Sequence, residues 1–141
     1  MKNKSYNNDN RKGGIEMELV FGNDGIELVR ENGNWNLKRD IGFSPVQALV
    51  ASVAACGMYV FDGILSKSGI EHEFSNTTVS YEVDEMVRVK PVRLITIVYR
   101  MRVQESDKQR VERIVHLVSK SCPVMASLNP SIIVKEEVEY V

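Results

Sequence analysis

The chain has 141 residues, 43% hydrophobic and 26% charged, with 18 basic against 19 acidic side chains and a formal net charge of −1. That length fits one ordinary domain, which buries about two-thirds of the surface its unfolded chain exposes and does not depend on disulfides. The charge balance lacks the basic excess that phosphate binding needs, so nucleic acid is not expected as a partner.

Residues 1–14 are polar and Asn-rich and read as a disordered tail, without the apolar h-region of a signal peptide. Residues 15–141 read as a single domain. Glu16 to Phe21 alternates apolar and polar residues, Asn23-Asp24-Gly25 supplies a turn, and Ile26 to Arg30 continues as a second strand. Glu31-Asn32-Gly33-Asn34 is a hairpin signal leading into a third strand, Trp35 to Asp40. Three such strands need a further surface to pack on.

Ser44 suits an N-cap and Pro45 the first helical position. From there Val46, Leu49, Val50, Val53, Ala54, Met58, Phe61, Ile64 and Leu65 recur at helical spacing, and Gly69 falls at the C′ position. The first half of this helix is apolar nearly all round. Such a helix is buried on several sides, in the centre of a domain or at a dimer interface. Gln47 and Asp62 interrupt the run, so it reads as a buried helix and not a membrane span. No membrane is expected as a partner, and the cytoplasm is the expected compartment.

Thr77 to Val83 reads as a strand, and the charged loop Asp84 to Lys90 leads past Pro91 into a strand from Arg93 to Val103. There Ile95, Ile97, Tyr99, Met101 and Val103 share one side. A second helix begins at Ser106, which has capping-box spacing to Gln109. Val111, Ile114, Val115, Val118 and Cys122 form its apolar face. Pro123 disfavours helical geometry at Cys122, so the helix breaks there and a short turn restarts. Ser131 to Val141 is the last strand. The order β-β-β-α-β-β-α-β, with strands in runs, predicts an α+β fold with antiparallel pairing and two long helices.

Cys56 and Cys122 are the residues with the most chemical potential. In a reducing compartment a standing disulfide is not expected. A buried free cysteine is usually a small core hydrophobe, and both positions fit that reading. Reactivity would instead require a thiolate. Cys56 lies too deep in its helix for the N-terminal dipole to help, so positive charge would have to come from another element. Arg39 is the first candidate, with Arg30, Arg93 and Arg100 behind it. Each is more commonly a solvated strand-face charge. Cys56, His72, His116 and Cys122 lack the close-paired spacing of zinc sites, so no metal is expected, and both histidines read as surface or boundary residues. No cofactor motif is present: there is no Gly-rich phosphate loop and no G-x-S-x-G elbow.

The run from Ser44-Pro45 through Val53-Ala54-Ala55-Cys56, followed at a distance by Lys120-Ser121-Cys122-Pro123-Val124, resembles the OsmC/Ohr family of osmotically inducible and organic hydroperoxide resistance proteins. The resemblance covers about Gly14 to Val141 and includes the order of elements. It implies an OsmC-like fold and an intertwined homodimer, with the long helices central and the sites at the subunit interface. It implies thiol-dependent reduction of organic hydroperoxides, with Cys56 at the peroxidatic position, Cys122 at the resolving position and an activating arginine that no motif pins, for which Arg39 is the candidate. A dithiol, lipoyl-type in some members, would be the reducing co-substrate. These peroxidases carry a glutamate ten residues before the first cysteine; this chain has Val46 there, followed by Gln47. That departure keeps two further readings open. One is an OsmC-like protein without peroxidase activity that binds a small apolar or thiol-reactive ligand at the dimer interface. The other is a disulfide-forming sensor without turnover.

Overall fold

The computed structural model describes residues 16–141, so the tail expected over 1–14 lies outside the described residues. The chain divides into two compact units, the first ending at Ser44 and the second running from Pro45 to Val141.

In the first unit, β1 (Leu19–Gly22) and β2 (Gly25–Leu28) form a hairpin around Asn23-Asp24, with Gly22 opposite Gly25. Gly25 takes φ 125°, a conformation open to glycine. β3 is only Trp35–Asn36, paired to Glu27 and Leu28. It is shorter than the strand expected to Asp40, because the backbone turns back on itself. The amides of Ile41 and Gly42 both reach the Lys38 carbonyl, at 3.3 and 2.8 Å. Gly42 permits this turn, since a Cβ there would meet the Asn36 carbonyl oxygen. Arg39 therefore sits exposed on a turn, not on the third strand.

The second unit begins with α1 (Pro45–Lys67). Its end is a Schellman motif: the Ile70 amide bonds to the Leu65 carbonyl at 3.0 Å and the Gly69 amide to Ser66 at 3.1 Å, with Gly69 at φ 70°. Val50, Val53, Ala54, Gly57, Phe61 and Leu65 form its buried stripe. Among the described residues, Val46 and Leu49 at its start and Tyr59 on the opposite face are exposed. Within the single chain the helix buries one stripe. By length and composition α1 could also cross a membrane, which Gln47 and Asp62 were expected to prevent. In this fold its buried stripe is part of the core.

β4 (His72–Val83), β5 (Val92–Val103) and β6 (Ile133–Tyr140) make the sheet beneath α1. β4 starts five residues before the expected Thr77. A register shift between Phe74 and Asn76 breaks the alternation there and conceals the strand in the sequence. His72 is accordingly a strand residue whose Nε2 lies 2.6 Å from Asp62 of α1 and whose Nδ1 lies 2.8 Å from the Ile70 carbonyl. Ile95, Ile97, Tyr99 and Met101 all point from β5 into the core, as their alternation predicts.

β4 and β5 are antiparallel, but β6 runs parallel to β5, contrary to the antiparallel pairing expected of it. The reason lies in the connection. A 3-10 turn (Glu105–Asp107), α2 (Lys108–Ser121) and α3 (Pro123–Ala126) carry the chain across the sheet, and such a crossover returns the next strand parallel. The expected capping box is not formed, because Ser106 falls inside the 3-10 turn and the N-cap is Asp107. The stripe Val111, Ile114, Val115 and Val118 is buried as expected, and Cys122 breaks the helix before Pro123.

Candidate functional site

The core of the second unit brings together two cysteines that are far apart in sequence. Cys56 sits half-buried in the middle of α1. Cys122 occupies the break between α2 and α3 and is 1% exposed. Its extended backbone, φ −92° and ψ 112°, follows from the proline behind it. Both are free thiols, and they lie close enough that Cys56 acts on the ionisation of Cys122.

The Cys122 sulfur accepts the Met125 amide at 3.5 Å, capping α3. Burial pushes the Cys122 thiol above its ordinary value, and Cys56 adds to the rise; the amides of Met125 and Val124 act the other way.

Beneath the thiols lies Tyr99 of β5, fully buried. Its hydroxyl donates to the Glu136 carboxylate of β6 at 2.7 Å. The hydroxyl also nests against the backbone of α1: a Cβ on Gly57 would lie 2.4 Å from it and 3.0 Å from Met125 Cε. Only glycine lets the phenol come this close to the residue next to Cys56. Burial raises the Tyr99 pKa far above the phenol range; the bond to Glu136 and the charges of Glu136, Cys122 and Cys56 raise it further. Glu136 is raised by burial, while the Tyr99 hydrogen bond and His116 of α2 act to lower it.

Tyr99, Glu136 and Gly57 were not singled out from the sequence. Glu136 did leave a signal there. It shares the inward face of β6 with Val134, Val138 and Tyr140, a carboxylate in an otherwise apolar alternation. Of the arginines considered beside Cys56, Arg93 pairs with Glu82 at 2.8 Å, and Arg100 reaches Thr78 at 3.2 Å and Glu139 at 3.5 Å. Arg30 lies over Trp35 at 5.3 Å and Arg39 stays on its turn, both in the first unit. Val46 is exposed at the start of α1. An open apolar groove of about 320 Å³ runs along α1, lined by Ala55, Met58, Tyr59, Asp62 and Phe74. Among the described residues, no three His, Cys, Asp or Glu side chains converge as a metal site.

The raised Glu136 has a consequence for stability. An acid whose folded pKa exceeds its unfolded value stabilises the fold below the unfolded value and loses that contribution as pH rises through the folded one. As pH rises from the ordinary glutamate range towards the raised folded value, wild type is expected to lose stability relative to Glu136→Gln. Paired thermal melts check this; curves that stay parallel would show that Glu136 ionises freely in the folded state.

The model of a family described as OsmC-like protein matches residues 38–137. A search of curated protein sequences finds no match. Solved structures agree with the fold. An OsmC-like protein from Mycoplasma pneumoniae is 16% identical with a TM-score of 0.76, over 93% of this chain and 99% of its own. The organic hydroperoxide resistance protein OhrB of Bacillus subtilis is 18% identical with a TM-score of 0.60, over 88% and 96%. An organic hydroperoxide resistance protein from Legionella pneumophila is 15% identical with a TM-score of 0.61, over 92% and 98%.

Proposed function

The chain belongs to the OsmC-like protein family, and on that premise we propose that it is a thiol-dependent peroxidase reducing organic hydroperoxides through Cys56 and Cys122. The observation that carries the reading is the proximity of the two free thiols, Cys56 in the middle of α1 and Cys122 at the break between α2 and α3, which suits the roles of nucleophile and resolver. The names of the similar Bacillus and Legionella proteins point the same way.

In the first step the Cys56 thiolate attacks the distal peroxide oxygen. The O–O bond breaks, the alkoxide leaves as the alcohol after taking a proton, and Cys56 holds a sulfenic acid. In the second, the Cys122 sulfur attacks the Cys56 sulfur, the S–O bond breaks, and water leaves behind a disulfide. A dithiol reductant, lipoyl-type by family analogy, restores both thiols by exchange. Arg39 is the proposed activator. The exposed apolar side chains Val46, Leu49 and Tyr59 on α1 support a homodimer as the working form. The cytoplasm is the compartment that suits two reduced cysteines.

One observation favours the second reading, an OsmC-like protein that binds a small apolar or thiol-reactive ligand without turnover. It is Val46, which leaves the family's glutamate position without charge. Consumption of an organic hydroperoxide by the reduced protein, with a dithiol present, decides between the two. Sustained turnover that exceeds the rate with hydrogen peroxide is expected. No consumption, with both thiols confirmed reduced, would leave the ligand-binding reading in its place.

A further inference from the structure

We propose that the Tyr99–Glu136 pair takes up the proton that Cys122 releases when the disulfide closes. The sulfenic acid in this step comes from the peroxidase reading, on which the proposal rests; the geometry of the pair is independent of it.

The phenol's one proton is committed to Glu136 at 2.7 Å, so the phenol oxygen meets its other neighbours as an acceptor. Those neighbours are Cys56 from α1 and Cys122 from the junction of α2 and α3, which both act electrostatically on the hydroxyl. Gly57 lets the hydroxyl press against the α1 backbone at the residue beside Cys56. His116 of α2 also acts electrostatically on Glu136. The Glu136 carboxylate is a base, and its hydrogen bond to Tyr99 is the contact that joins it to the site.

The step balances as follows. Cys122 gives its thiol proton to the Tyr99 oxygen as the Tyr99 proton passes to Glu136. The Cys122 sulfur then forms the S–S bond and the Cys56 S–O bond breaks, its electron pair leaving with hydroxide. The proton held by Glu136 returns through Tyr99 and joins hydroxide to give water. The pair ends as it began. Tyr99 relays the proton and Glu136 is the base for closure, and neither is needed for the first oxidation.

The test compares wild type with Tyr99→Phe and Glu136→Gln in single-turnover mixing, following sulfenic acid formation and disulfide closure separately across pH. Cumene hydroperoxide is one oxidant and diamide the other; diamide loads Cys56 with a hydrazine leaving group that Cys122 displaces, with no peroxide involved. The expected result is unchanged loading of Cys56 and closure slowed roughly tenfold or more. Closure in the variants should also rise with pH beyond the point where wild type levels off, because solvent hydroxide must then take the proton. A merely structural pair would slow closure equally at every pH, and that result, or unchanged closure, overturns the proposal. Wild type that ignores cumene hydroperoxide but closes with diamide would sink the peroxidase reading alone, and the variants' diamide closure would still decide this one.

Discussion

Cys56→Ser is expected to abolish hydroperoxide consumption, whereas Cys122→Ser should leave one oxidation per chain and no more. The two outcomes differ because the proposed mechanism gives the sulfurs different work. A serine hydroxyl stays protonated near neutral pH and is a poor nucleophile toward a peroxide oxygen, so removing the attacking sulfur should cost several orders of magnitude in rate. Cys122→Ser keeps the attacking sulfur but removes the only partner placed to trap its sulfenic acid. That acid should then persist, and under excess oxidant it should advance to the sulfinic state, from which a dithiol cannot recover it. Intact-mass measurement after a single addition of hydroperoxide reads both results: no added oxygen on Cys56→Ser, one and then two on Cys122→Ser, and loss of two protons on wild type. Equal activity of all three proteins would remove the cysteines from the mechanism. The Cys122→Ser fold should survive, since a hydroxyl can accept the Met125 amide in the sulfur's place.

Much of this arrangement is legible in the sequence, and the limits are physical. The stripe on α2 and the alternation on β5 bury as their periods predict, because one face of each lies against the core. The break at Cys122-Pro123 follows from the proline alone. What stays hidden depends on pairing between distant segments. Nothing local to β6 says that it will run parallel to β5, and its register, Ile97 opposite Glu136, is what carries Glu136 beneath Tyr99. The early part of β4 is concealed by an irregular register that disrupts its alternation. Trp35 to Asp40 reads as one strand that would carry Arg39, but a turn closed by the Lys38 carbonyl and completed at Gly42 ends the strand early. The two cysteines can be named from the sequence, but their proximity cannot, since loop closure over so long a stretch is decided by the packing of α1 against α2 and α3 and not by spacing.

Phe61→Ala should be the most damaging single change to stability, at about 3–5 kcal/mol. Phe61 is fully buried on α1, so truncation cannot be repaired by solvent. Its ring packs edge-to-face on Tyr99 at 5.0 Å and on Phe74 at 5.9 Å, and Tyr99 and Phe74 also meet at 6.4 Å. Removing it therefore costs the transfer of the ring, two aromatic pairs and the cavity left between helix and sheet. Phe61→Leu keeps much of the volume and should cost less than half as much. Urea unfolding at one fixed protein concentration measures both, the fixed concentration guarding against any contribution from association. A loss below about 1 kcal/mol for Phe61→Ala would mean that the neighbours collapse into the gap. Such collapse would have to move Tyr99, because its ring forms one wall of the gap. Stability and closure are then linked through one side chain: the phenol that lies under the two thiols is held on its other side by Phe61. Under conditions where Phe61→Ala remains folded, its disulfide closure should accordingly be slower than that of Phe61→Leu, while the first oxidation of Cys56 is the same in both.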